Sequence, residues 1–142
     1  MTSAAQKIIH ETIDEVMTTD VVSLKIDDTL RLADDMMNLA HLRHFPVLDE
    51  GKVVGIVNHD DLLHASMAWL SRHPQDTPRT ALGTVAVREI MKPPTIRPPE
   101  TSIQNAAELM VEHGIECVLV VQDEKLVGLV SRTDLLRELA RR

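Results

Sequence analysis

The sequence is poor in the residues that staple, stack or anchor a chain. It has one cysteine among 142 residues, which excludes an internal disulfide and makes a reducing cytoplasm the expected setting. It has one Phe, one Trp and no Tyr. A single-strand nucleic-acid platform needs stacking rings, and a planar ligand here would be gripped by aliphatic side chains. Basic residues number 15 against 22 acidic, for a net charge of −7 at pH 7. A phosphate-backbone binder needs the opposite balance. No apolar run nears the ~18 residues of a membrane span. The longest, Cys117–Val121, has strand length. Met1–His10 is mostly polar, with no apolar core of a signal peptide. The expectation is a cytoplasmic protein that binds neither nucleic acid nor membrane.

Apolar residues make up 44% and charged residues 26%, as in an ordinary globular domain. A chain of this size buries roughly two-thirds of its unfolded surface, enough for a core without staples. The main signal is an internal repeat. Leu30–Leu63 aligns without a gap on Ile103–Leu136 at an offset of 73. Ala33, Met37 and Val47 meet Ala106, Met110 and Val120. Lys52, Val54, Gly55 and Val57 meet Lys125, Val127, Gly128 and Val130. Asp61-Leu62-Leu63 meets Asp134-Leu135-Leu136. Upstream, Val16-Met17-Thr18 matches Ile90-Met91-Lys92 at an offset of 74. Repeat 1 spans 12–66, a linker and helix extension 67–83, and repeat 2 84–140.

Each repeat reads as strand, helix, strand, strand, helix. In the first, Val21–Leu24 is β-prone, and Asp28 or Thr29 caps a helix with Leu32, Met36 and Leu39 at helical spacing. Phe45–Leu48 and Val53–Val57 are strands around the turn Asp49–Lys52. In the second, Thr101 with Gln104 makes a capping box, and Ile103, Ala106, Ala107 and Met110 form the apolar stripe. Gly114 stops that helix. Cys117–Val121 and Leu126–Val130 flank the turn Gln122–Lys125, and Thr133–Arg141 closes the repeat. Prolines bracket Thr95-Ile96-Arg97, as befits an edge strand. The first closing helix extends through Trp69, which covers the core or an oligomer surface. Ser71–Pro78 then reads as a polar loop.

Three segments, each present twice in order, resemble the cystathionine-β-synthase (CBS) domain family. They are Asp14–Thr18 with Arg88–Met91, the strand His44-Phe45-Pro46-Val47-Leu48-Asp49, and Gly128-Leu129-Val130-Ser131-Arg132-Thr133-Asp134-Leu135-Leu136. The resemblance covers nearly the whole chain and implies a Bateman module of α+β class, an α/β sandwich. Its two β-α-β-β-α repeats pack with pseudo-twofold symmetry. It also implies a homodimer, formed largely through the apolar helix faces, and two clefts for AMP, ADP, ATP or S-adenosylmethionine. No cofactor is required. The bound ligand would regulate an unidentified protein, since no partner domain is attached.

By the same resemblance each cleft mixes the repeats. One combines Leu129, Ser131, Arg132 and Asp134 with Thr19, Val21, Arg43 and His44. The other combines Ile56, Asn58, His59 and Asp61 with Pro94, Thr95, Ile96, Glu116 and Cys117. An Asp carboxylate accepts from both ribose hydroxyls, and a helix N-terminus favours phosphate. Arg132 adds a permanent charge at the mouth, where repeat 1 has His59. Asn58 stands where the family has Ser or Thr, so the Asp134 cleft is expected to bind phosphate-bearing ligands more tightly. The plainer readings stay open: Asp61 and Asp134 as charges on a helix dipole, Ser131 as an N-cap.

Other features carry less. Met36, Met37 and Met110 fall on helical faces and belong to the core, and Asp34-Asp35 to a solvated face. Cys117 has no base nearby and reads as inert. His41 with His44, and His59 with His64, lack the companions of a zinc site. No Gly-rich phosphate loop, nucleophile or paired acid and base is present, so the chain is expected to be no enzyme and to turn over no nucleotide. The alternative function is a dimerisation scaffold with degenerate, empty clefts.

Overall fold

Two-residue turns set the register of both repeats. In the computed structural model, which describes residues 9–142, β2 (His44–Asp49) runs antiparallel to β3 (Lys52–Asn58). The linking Glu50 and Gly51 have φ of 50° and 83°, the mirror-image turn whose twist suits a hairpin. In the second repeat β5 (Cys117–Gln122) pairs with β6 (Lys125–Ser131). Asp123 and Glu124 hold that turn at 51° and 64° without a glycine. Both hairpins slip register at one equivalent place, after Val47 and after Val120. A short strand joins each in parallel: β1 (Leu24–Lys25) beside β2, and β4 (Ile96–Arg97) beside β5. Both three-stranded sheets thus centre on the first hairpin strand, and β4 is the edge strand its prolines called for.

The described chain divides into two compact units. Val22–Pro94 form one. Thr95–Arg142, with the segment up to Val21, form the other. In the first, α1 (Leu30–Ala40) is capped by Thr29, whose hydroxyl accepts from the Leu32 amide. The expected stripe of Leu32, Met36 and Leu39 is corrected in part: Leu30, Ala33 and Met37 are buried and Met36 packs half-buried against their core, but Leu39 is 83% exposed. Both sets have helical spacing. The sheet decides between them, because Leu30, Ala33 and Met37 share a core with Phe45, Val47 and Val57.

The matching helix α4 (Ile103–His113) ends at Gly114, φ 63°, as expected. Its cap is not the Thr101–Gln104 box. The Ser102 hydroxyl accepts from Asn105 at 3.0 Å, while Thr101 Oγ1 donates to the Pro98 carbonyl at 2.8 Å. The Glu11 carbonyl accepts the Ile103 amide at 2.9 Å, which places the first helical turn one residue later.

α2 (His59–Arg72) carries Trp69, which stacks on His73 at 4.1 Å and donates to Asp76 at 2.7 Å. The indole therefore closes the end of its own helix. α3 (Pro78–Gly83) was not anticipated, although Thr77 as cap and Pro78 in the first turn are a start signal. Its Arg79 reaches Asp35 at 2.9 Å, so Asp35 is tied down rather than merely solvated. The guanidinium's hydrogen bond holds that carboxyl below its usual pKa. α5 (Arg132–Arg141) closes the second repeat.

The lead segment of each repeat packs on the hairpin of the other. Ile13, in the 3-10 turn Ile13–Glu15, is buried with Ala106, Met110, Val118, Val120 and Val130. Thr18 and Leu129 exchange two backbone hydrogen bonds of 2.9 Å. Likewise Val87 enters the core of repeat 1, and Lys92 and Ile56 exchange two bonds of 2.9 Å. Both approaches are too close for a side chain. A Cβ on Gly55 would lie 2.6 Å from Met91 Sδ. One on Gly128 would lie 2.3 Å from Met17 Sδ and 3.1 Å from the Thr18 carbonyl oxygen. Glu15 closes its turn by accepting from Thr12 Oγ1 at 2.8 Å and from the Thr12 amide at 3.2 Å. Those bonds, with one from His10, draw its pKa down to about 2.

Gly128→Ala and Gly55→Ala are therefore each expected to cost roughly 1–3 kcal/mol of overpacking and to lower the melting temperature. A methionine sulfur rotates away, but the Thr18 carbonyl, 3.1 Å from a Cβ on Gly128, and Met91 Cβ, 3.0 Å from one on Gly55, do not. An unchanged melting temperature in either variant would refute the close approach at that site.

Candidate functional site

Both strand-to-helix junctions are built on one plan. Ser131 ends β6 and caps α5: its amide donates to Asp134 Oδ2 at 2.8 Å, and its hydroxyl accepts from the Asp134 amide at 3.2 Å. Asn58 caps α2 in the same way. It donates to Asp61 Oδ2 and accepts from the Asp61 amide, each at 2.9 Å. Both candidate carboxylates are thus members of reciprocal capping boxes. Asn performs the cap as well as Ser does, but only Ser131 adds a hydroxyl bond to Asp134 Oδ2, at 3.0 Å.

The oxygen left over from the cap distinguishes the two. Asp61 Oδ1 accepts from Lys92 Nζ at 2.9 Å, and that side chain is 6% exposed. Asp134 Oδ1 has Arg137 Nη1 at 3.5 Å, at the limit of a hydrogen bond, and its side chain is 11% exposed. Lys92 and Arg137 were missed in the sequence. Arg137 was legible as a partner one helical turn beyond Asp134. Lys92 was not, because only the packing of its segment on β3 brings it to Asp61.

The remaining candidates divide between the units. Thr19, Val21, Thr95, Ile96, Glu116, Cys117, Leu129, Ser131, Arg132 and Asp134 lie in one. Arg43, His44, Ile56, Asn58, His59, Asp61 and Pro94 lie in the other. Leu129 lies between Thr18 and Leu119, and Cys117 stands opposite Ser131. The Thr95 carbonyl accepts from Leu119 at 2.8 Å, and Ile96 pairs with Leu119. The Arg132 cation is paired. Its Nη2 is 3.0 Å from Glu116 Oε1, and its amide donates to the Glu116 carbonyl at 3.0 Å. In the other unit the His59 amide donates to the Arg43 carbonyl at 3.1 Å, and His44 stands opposite Asn58. Among the described residues no group of three His, Cys, Asp or Glu side chains is disposed to hold a metal. None of their helices is long and apolar enough to cross a membrane.

The repeated β-α-β-β-α topology, with Gly-x-x-Ser/Asn-x-x-Asp ending each hairpin, defines a class, and comparison with known proteins identifies it. The CBS domain model matches residues 13–68 and 87–141. The chain belongs to the CBS domain family and carries two copies of the domain. The CBS domain of a CBS domain-containing membrane protein from Sphaerobacter thermophilus is 29% identical, with a TM-score of 0.78, over 95% of this chain and 91% of that one. CBSX2, solved in complex with AMP, shares the fold at 22% identity and a TM-score of 0.76, over 92% of this chain and 97% of that one. The homoserine O-acetyltransferase of Methanohalophilus mahii is 33% identical over 124 residues, which are 86% of this chain but 23% of that enzyme.

Cys117 is buried, and burial, with the Glu116 charge second, pushes its thiol pKa up to about 12. The folded protein is therefore expected to resist iodoacetamide at pH 8 and to be alkylated once unfolded. Rapid labelling of the native protein, read by mass spectrometry, would contradict this.

Proposed function

We propose that the chain is a regulatory module that senses adenosine nucleotides, with the Ser131–Asp134 junction as its tighter site and no catalytic turnover of its own. The observation that carries this reading is the contrast between the two leftover carboxylate oxygens. Among the described residues Asp134 Oδ1 has one long contact, to Arg137 at 3.5 Å, which leaves it able to accept ribose hydroxyls, whereas Asp61 Oδ1 already holds the Lys92 ammonium at 2.9 Å. The Ser131 hydroxyl and the α5 N-terminus stand beside it, where a phosphate is favoured. The AMP complex of CBSX2 supports the ligand class. The charge of Arg132, shared with Glu116, lends less than its position in the sequence promised.

Calorimetry with AMP and ATP tests the ranking. Asp134→Ala removes charge-assisted hydrogen bonds of about 1.5–3 kcal/mol, so the tight phase should weaken roughly ten- to a hundredfold. Asp61→Ala removes the same kind of cap from α2 and controls for lost capping; it should leave the tight phase in place. Equal losses would refute the ranking. The second reading, a dimerisation scaffold with empty clefts, draws on the capping boxes themselves, which give both aspartates a structural role. Absence of binding by either nucleotide would favour it.

The same reading includes a cytoplasmic homodimer. Leu39, Leu63 and Met67 on the helices of one unit, and Val111 on those of the other, are more than half exposed. Exposed apolar helix faces of this kind are covered by association. Light scattering at micromolar concentration should give twice the chain mass; a single chain mass would refute it.

A further inference from the structure

Glu138 lies on α5, one turn beyond Asp134, and nothing in the nucleotide reading uses it. It is 3% exposed. Its Oε1 accepts from the His10 amide at 3.1 Å, and its Oε2 is buried with no hydrogen-bond partner among the described residues. A buried carboxylate oxygen without a donor is costly and calls for a partner. The side chain lines a cavity of about 620 Å³ whose walls are mainly aliphatic, among them Ile103, Ala107, Leu135 and Leu139. Three other polar groups of the wall are engaged. Arg142 donates to the His10 carbonyl at 2.8 Å, Gln104 donates to Glu108 at 3.2 Å, and Ser102 accepts from Asn105 at 3.0 Å. Of the charged groups of the wall, the two carboxylates Glu11 and Glu138 stand against the one guanidinium of Arg142.

The repeat shows that this is a feature of one unit. At the offset of 73, Glu138 corresponds to Ala65, a half-buried residue packed on the first core. Leu135 and Leu136 correspond to Leu62 and Leu63. There α3 buries Ala81 and Leu82, and the space beside it is about 320 Å³.

We propose that this cavity is a second ligand site, apart from the Ser131–Asp134 junction, for a small organic cation: an aliphatic ammonium whose charged head reaches Glu138 Oε2 and whose chain lies on the Leu135 and Leu139 wall. Size and lining suit such a ligand, with an apolar body and one oriented polar anchor.

Hexylammonium chloride is the probe and hexanol its neutral counterpart, each titrated into the full chain by NMR or calorimetry. Hexylammonium should bind, and hexanol should bind at least tenfold more weakly. Glu138→Gln, which keeps size and an acceptor for His10, should lose about ten- to a hundredfold in hexylammonium affinity. Glu138→Ala, the residue of repeat 1, should lose as much while melting as a folded protein. Asp134→Ala should bind hexylammonium unchanged, so failure of the nucleotide site leaves this result standing. Equal binding of hexanol, or an unaltered Glu138→Gln, would overturn the proposal. So would hexylammonium binding only in a chain that starts at Ile9, which would assign the cavity to the protein's own first eight residues, or only in a variant held monomeric, which would assign it to a subunit interface.

Discussion

The close contact of a methionine with a glycine, made once in each unit, is the constraint on which the rest of the structure depends. Met17 lies over Gly128 and Met91 over Gly55, each beside a two-bond bridge from lead segment to hairpin. Through these contacts the lead segment of one repeat supplies a buried residue, Ile13 or Val87, to the core of the other. Neither core is complete from a contiguous repeat. The repeat that evolution copied and the unit that folds are therefore different objects, and residues 12–21 belong to one by sequence and to the other by packing.

The lead segments also reach the candidate sites. Thr18 is bonded to Leu129, two residues before Ser131, and Lys92 is bonded to Ile56, two residues before Asn58. These residues align in the repeat, yet one is a threonine and the other a lysine. That single difference gives Asp61 an ammonium partner that Asp134 lacks. The asymmetry between the junctions thus arises less from the Ser131 and Asn58 caps, which do equivalent work, than from what the neighbouring segment carries. Arg132 shows the complementary effect. Its charge is set against Glu116, whose repeat counterpart is Arg43, so charge reversal between repeats changes what each junction offers a phosphate.

Much of the fold was legible from short-range signals. The hairpins followed from apolar runs around polar turns, the C-terminus of α4 from Gly114, the edge position of β4 from its prolines, and the family from three ordered segments. The misreadings share one cause. In α1, two stripes have equal helical spacing, and only the sheet beneath selects Leu30, Ala33 and Met37. At α4, Thr101 and Ser102 are both competent caps, and the hydrogen bond from Ile103 to Glu11 chooses between them. α3 carries its own start signal, but it is too short to stand out without α1 and α2 to pack on.

By itself, the sequence determined the topology of each repeat, the family, and the residues at each strand-to-helix junction. Topology and junctions depend on spacing within about ten residues, where backbone geometry leaves few choices, and the family on such segments recurring in order along the chain. Tertiary structure alone decided which lead segment completes which core, that Lys92 meets Asp61, that Glu116 meets Arg132, and that Glu138 is buried with an oxygen unpaired among the described residues. Each of these joins residues through packing rather than along one element. A one-dimensional pattern fixes the face a residue occupies, but not what the folded chain lays against it.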